Sequence, residues 1–227
     1  MGKTVAITQS NYIPWKGYFD MISRCDVFVL YDTAQYTRRD WRNRNIIKTP
    51  NGLKWLTIPV KVKGQFYQSI QETKISDKNW AVNHWKTLEF SYKKAPFFDR
   101  YAPLISELYL GCDLELLSDI NLRFLKGICD ILNIQTEFCF SSDFEVRGGK
   151  TEKLVNLCDD IGAEKYITGP AARGYIQEEL FMESGIELEW MDYSNYREYS
   201  QLNGQFEHAV SIIDLIFNTG PRALEYL

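Results

Sequence analysis

The chain has 227 residues, a formal net charge of −4, and 45% apolar and 25% charged residues, proportions of a globular protein that exclude a disordered or fibrous one. Its length is enough to bury a sizeable core, and its acidic balance argues against a bulk polyanion as partner. Five cysteines without a CxxC spacing and only two histidines predict reduced structural thiols and no zinc site, and the lack of an apolar opening run or an ~18-residue apolar stretch predicts a cytoplasmic chain without a membrane span.

In chain order, "TVAIT" reads as a short buried strand and "DVFVLYD" as a second, with room for one helix between them. This strand–helix–strand unit predicts a parallel pair whose carboxyl ends carry the ligand loops. "RNRNIIKTPNGLKWLTIPVKV" holds Pro50-Asn51-Gly52 between two strand-forming runs and predicts a β-hairpin. "DKNWAVNHWKTLEFSYKKA" predicts a helix capped by Asp77, with Trp85, Leu88 and Tyr92 on its apolar stripe and Pro96 at its end. Helices over roughly 97–110 and 114–133 follow. Alternation then resumes: "TEFCF" as a strand, a helix stopped by Gly162, "KYITG" as a strand, a helix stopped by Gly185, and "IELEWMDY" as a strand. The pattern predicts one α/β domain over 1–227 with a Rossmann-like, nucleotidyltransferase-like parallel sheet. Residues 37–133 form an inserted β-hairpin and helical cap.

Five constellations could carry chemistry. The turn "NYIPWKGY" joins the first strand to the first helix, where exposed N–H groups and the helix dipole suit an anion and Gly17 permits close approach. It resembles in position the H-x-G-H motif of the nucleotidyltransferase and class I tRNA-synthetase superfamily, which includes pantothenate synthetase. Trp15 and Tyr18 stand in both histidine slots, and they cannot replace imidazoles in stabilising a reacting phosphate. In "TRRDWRNRN", Arg38, Arg39, Arg42 and Arg44 accompany one acid, Asp40; guanidinium forks suit phosphates, and on a strand Arg42 and Arg44 would share one face, Asn43 and Asn45 the other. His84 stands beside the Trp85/Leu88/Tyr92 stripe as a candidate general base. On a helical reading of "FEHAVSIIDLIFNTG", Glu207, Ser211, Asp214 and Asn218 fall within a sector of about 60°, a polar seam with His208 beside it. In "YITGPAARGYIQEELF", Gly169, Arg173 and Tyr175 mark another strand-to-helix junction at the same sheet edge. For each, a packed turn, solvated charge or satisfied polar group is the alternative.

The stretches "TQSNYIPWKGYFDMI", "DVFVLYDTAQYTRRDWRNRNIIKTPNG", "NHW" with Tyr92, "YITG" with Tyr175, and "FEHAVSIIDLIFNTG" resemble the WbqC-like family over nearly the whole chain. The family's usual Gln-Pro is here Gln9-Ser10. The resemblance implies a part in bacterial O-antigen or other surface-polysaccharide biosynthesis. The expected activity is amide formation, an acyl or aminoacyl group such as glycyl passing to the amine of a nucleotide-linked amino sugar. In that picture His84 is the base, with Tyr18 and Asp214 as further catalytic candidates. Substrate-binding candidates are Gln9, Asn11, Tyr12, Trp15, Lys16 and Gly17 from the first motif; Asp32, Gln35, Arg39, Asn43, Arg44 and Asn45 from the second; and Gly169, Arg173, Tyr175, His208, Ser211 and Asn218 from the C-terminal part. No cofactor is assigned, with ATP left open. Partners are the sugar nucleotide, a small acyl or aminoacyl donor, and an aminoacyl-tRNA left open. The alternatives are a non-catalytic nucleotide-sugar or partner-binding module and an ATP-dependent acid-activating ligase. Against the ligase count the missing histidines and the absence of a G-x-x-x-x-G-K-[ST] loop.

Overall fold

A computed structural model describes residues 2–227. The elements are β1 (Lys3–Thr8), α1 (Lys16–Ser23), β2 (Val27–Leu30), β3 (Arg44–Thr49), β4 (Gly52–Thr57), α2 (Trp80–Tyr92), α3 (Phe98–Leu110), α4 (Leu117–Leu132), β5 (Glu137–Phe140), α5 (Lys150–Ile161), β6 (Ala163–Thr168), α6 (Glu178–Glu183), β7 (Glu187–Trp190) and α7 (Ile212–Thr219). They fall into two compact units, one of residues 2–9, 20–34 and 134–195, the other of residues 10–19, 35–133 and 196–227.

The first unit holds a five-stranded sheet in the order β5-β2-β1-β6-β7, and every pairing is parallel. The first strand is central and later strands are added on either side of it. The order of strands therefore reverses between β1 and β6, where α/β sheets of this Rossmann-like kind open a crevice at the strand carboxyl ends. Val5, Val27, Val29, Tyr166 and Phe181 pack with Leu154, Leu157 and Cys158 of α5 in its core, the near-continuous apolar runs that a parallel sheet requires. Gly162, in the left-handed region at φ 75°, stops α5 with its N–H bonded to Asp159 O at 3.0 Å. Arg173 lies in the 3₁₀ turn Pro170–Gly174, and α6 begins only at Glu178, so Arg173 does not lead directly into the helix.

The second unit contains the antiparallel hairpin β3–β4, with Arg44 opposite Thr57 and Ile46 opposite Trp55, and helices α2, α3, α4 and α7. Four local expectations are corrected. Arg42 and Asn43 precede β3, so the strand alternation that would set Arg42 beside Arg44 begins only at Arg44. Asp77 does not cap α2: its Oδ1 accepts the N–H of Asn79 in the turn before the helix. His84 lies within the buried stripe of α2, with Trp80, Ala81, Leu88 and Tyr92, while Trp85 is only half-buried. α7 begins at Ile212 with Ser211 as its cap, the Ser211 Oγ accepting Ile213 N–H at 3.3 Å, so Glu207 and His208 lie in the preceding loop. Every residue of α7 is buried, Asp214 and Asn218 included, so their seam is internal.

Candidate functional site

In the second unit, residues 10–15 run as an irregular segment held at almost every residue. Asn121 Nδ2 donates to Ser10 Oγ (2.8 Å) and to Arg42 O (2.9 Å), and Arg42 Nη1 donates to Asn11 Oδ1. Tyr12 N–H meets Trp41 O at 3.1 Å, and Asn45 Nδ2 donates to Tyr12 O at 3.1 Å. Ile13 takes φ 38°, a conformation that β-branched residues adopt only when their surroundings impose it. Pro14 O accepts Ile212 N–H at 2.9 Å, and Trp15 bridges to Ser211. This lattice of amides explains the asparagines of the second motif: Asn45 clamps the opening segment, and Asn43 Nδ2 donates to Ile58 O at 2.8 Å.

Against this segment lies a cavity of about 230 Å³ lined by Asn11, Pro14, Trp15, Trp41, Asn45 and Ala209. Two indoles and two primary amides form its chemistry, and no lining side chain titrates. Gly17 is required beside it, because a Cβ there would come within 2.4 Å of Trp15 Cζ2. The pocket thus unites three expected residues, Asn11, Trp15 and Asn45, with Trp41, which the sequence marks only as an aromatic within a basic run. Pro14 lies within the first motif and Ala209 within the last, though neither is among the expected binding residues.

Several expected site residues are committed elsewhere. Tyr12 is fully enclosed, its Oη 2.9 Å from both His84 Nδ1 and Tyr109 Oη, among the rings of Trp80 and Phe124. It offers no face for stacking. Burial pushes His84 down to about 4, helped by the charge of Lys54 and opposed by a hydrogen bond with the backbone of Thr57. His84 is therefore neutral at pH 7 and does not line the pocket. Asp214 accepts from Tyr92 Oη at 2.8 Å and Tyr199 Oη at 2.9 Å. Burial raises its carboxyl, opposed by those hydroxyls and by Lys48. Asn218 Nδ2 donates to Asp214 O at 2.7 Å, and its Oδ1 accepts Leu202 N–H. Lys48, which sequence reasoning passed over, is buried and donates to Gln201 Oε1 at 2.7 Å. Lys16 is also buried, donating to Arg197 O at 2.9 Å with its ammonium 4.7 Å from the Tyr196 ring centre. Tyr18 is buried. His208 stands next to pocket-lining Ala209 in sequence, edge-on to Phe206, and burial and Lys16 lower its pKa.

Arg39 sits at φ 60° and its carbonyl accepts from Arg44 Nη2, while the Arg44 guanidinium stacks 4.1 Å from the Trp55 ring. Gln35 Nε2 donates to Phe66 O at 2.8 Å. In the first unit, Gln9 and Gly169 follow β1 and β6 at the reversal of strand order. Asp32 is buried past the end of β2, and Arg173 stacks 4.3 Å from Trp190. Tyr175 is half-exposed and Tyr193 Oη lies 3.5 Å from where a Cβ on Gly169 would be. Among the described residues no cluster of three His, Cys, Asp or Glu side chains could hold a metal ion, and no helix is long and apolar enough to cross a membrane. All five cysteines are thiols, with Cys129 and Cys158 pushed by burial up to about 12.

A Rossmann-like parallel sheet in one unit, and a hairpin, helices and a tryptophan-walled pocket in the other, define a mixed α/β protein. The sequence profile of the WbqC-like protein family matches residues 9–226, and the chain belongs to that family. It is 52% identical over 225 residues to the uncharacterized protein Rv1507c of Mycobacterium tuberculosis, covering 99% of this chain and 97% of that one. No solved structure matches the chain.

Proposed function

We propose that the protein is an enzyme of bacterial surface-polysaccharide biosynthesis that binds a nucleotide-linked amino sugar and forms an amide on the sugar amine with an acyl or aminoacyl donor. The observation that carries the binding half is the pocket between Trp15 and Trp41, with the Asn11 and Asn45 amides at its wall. Flat indoles stack on a nucleobase or on the apolar face of a pyranose, and primary amides read ring edges or hydroxyls. At about 230 Å³ it seats one ring, leaving the diphosphate over the rim, where Arg42 meets Asn11 and guanidiniums suit phosphate oxygens. The amide-forming half rests on the likeness of the Rossmann-like sheet and its first turn to pantothenate synthetase, an amide-forming ligase, and on no residue of the pocket. ATP is not required by this reading, and a cytoplasmic setting follows from the substrate class.

A second reading, a binding module without catalysis, is favoured by one observation: no titratable side chain lines the pocket. The test is a thermal-shift screen with UDP-, dTDP- and GDP-sugars, repeated on Trp15→Ala, followed by mass spectrometry of the bound sugar nucleotide after incubation with acyl donors. A saturating ligand at 100 times its Kd adds about 2.7 kcal/mol of apparent stability. A shift lost in Trp15→Ala together with an acylated product supports the enzyme. The same shift without product supports the module, and no shift with any sugar nucleotide sinks both.

A further inference from the structure

We propose that the outer face of the β3–β4 hairpin, beyond the pocket, binds a short unpaired strand of nucleic acid. Alternation along the paired strands puts Arg44 and Ile46 on one face with Thr57 and Trp55 opposite them, and Leu53 at the far end, where its partner Lys48 turns inward to Gln201 and Gln205. On that face Leu53 is 55% exposed and Trp55 42%, and Trp41, 41% exposed, is packed on Trp55. The two indoles lie 5.3 Å apart at 36°, and the Arg44 guanidinium caps the Trp55 ring at 4.1 Å. A partly exposed ladder of indole, indole and guanidinium offers flat surfaces on which successive bases stack.

Charge selects the occupant. Arg38, Arg39, Arg42 and Arg44 flank Trp41 in the sequence, with Asp40 the one acid among them, in a chain that is acidic as a whole, and Arg44 reaches the Trp55 ring. That carboxylate is already engaged by Thr37 Oγ1 at 2.7 Å and Trp41 N–H at 2.7 Å, and Arg42 lies 3.7 Å away. The Arg44 side chain is held in place by the Arg39 carbonyl, which accepts from its Nη2, and its guanidinium lies on the Trp55 ring with no carboxylate against it among the described residues. Arg38 and Arg44 donate to backbone carbonyls, those of Val62 and Arg39, and an apolar protein partner would bring them no counter-charge. A polyanion with unpaired bases meets both the charge and the rings. The inference does not need the sugar-nucleotide reading, though it shares Trp41 with the pocket and Arg42 with its rim.

The experiment is fluorescence anisotropy with fluorescein-labelled single-stranded RNA and DNA ten-mers, the matching duplexes, and phosphatidylserine vesicles. Single strands are expected to bind, with log Kobs falling by about 0.7 per phosphate engaged for each unit of log salt. Trp55→Ala should weaken single-strand binding roughly 5- to 150-fold, with Trp55→Phe restoring most of it. Arg38→Ala should flatten the salt slope by about 0.7 while leaving the sugar-nucleotide thermal shift unchanged, which separates failure here from failure of the pocket reading. A stronger grip on RNA than on DNA assigns contact to the 2′-hydroxyl. Equal binding of duplex and single strand, indifference to Trp55→Ala in protein with an unaltered melting curve, or preference for vesicles overturns the proposal.

Discussion

His84 turns on burial more than on its chemistry. The sequence puts an imidazole at the edge of an apolar stripe, where a base is plausible. The fold moves it into the stripe, against Tyr12 Oη at 2.9 Å, and pushes its pKa from 6.5 to about 4. Between those values the unfolded chain holds the proton and the folded chain does not. Stability therefore rises with pH across that window and is lost as the pH falls from 6.5 towards 4. The shift corresponds to roughly 3 kcal/mol. Asp214 acts with the opposite sign: its raised pKa makes its contribution full below 3.8 and lost as the pH rises through the folded value. Urea unfolding of wild type and His84→Asn from pH 4 to 7 isolates the histidine. The variant should lose most of the acid-side slope; an unchanged slope sinks the assignment. In assays of amide formation, His84→Asn should change the rate no more than its effect on stability explains, since a buried neutral imidazole away from the pocket touches no substrate.

Among elements, the segment of residues 10–15 joins fold to site. Its crowding with aromatics, legible in the sequence, has a physical cause that is not: Gly17 leaves room for the Trp15 indole, and Asn45 and Asn121 replace the ladder bonds that an irregular backbone lacks. Gly17→Ala should destabilise by about 1–3 kcal/mol as the indole shifts off its seat and should abolish any sugar-nucleotide thermal shift; ligand binding as in wild type shows that Trp15 is not a wall of the site. Asn121→Ala leaves Ser10 Oγ and Arg42 O without their shared donor, and loss of a buried partner costs about 1–3 kcal/mol. Its melting curve should fall accordingly, while an exposed control such as Lys86→Ala should stay within about 0.5 kcal/mol of wild type. Strands, helices and the Pro50-Asn51-Gly52 turn were readable because they are local patterns. The polar seam of Asp214 and Asn218 was misplaced because helical period says which residues share a face, not whether that face is covered.

For the whole molecule, the alternation of strands and helices at the two ends of the chain foretold the parallel sheet, and the sheet order follows from placing β1 at its centre. What the sequence did not disclose is that the second unit is assembled from three separated segments. Trp41 and Ala209 meet across a wide gap in the chain to line one pocket, and only long-range packing makes that so. α7, buried along its whole length, closes the core of this unit: Phe217 packs on Tyr92 and Phe98 at ring-centre distances of 5.4 and 5.0 Å, and its carbonyl accepts Phe97 N–H at 3.0 Å. A chain ending at Asn195 would leave that apolar surface, the Pro14 carbonyl and the Trp15 bridge without partners. Tryptophan reports the outcome cleanly, because Trp15, Trp41, Trp55, Trp80 and Trp85 all belong to this unit and Trp190 alone to the other. The truncated chain should show red-shifted emission, a collapsed near-ultraviolet circular dichroism signal and no response to sugar nucleotides. Native-like emission with a cooperative melt would mean that helices α2 to α4 and the hairpin hold the unit together without α7, and that the opening segment takes its shape from Asn45 and Asn121 alone.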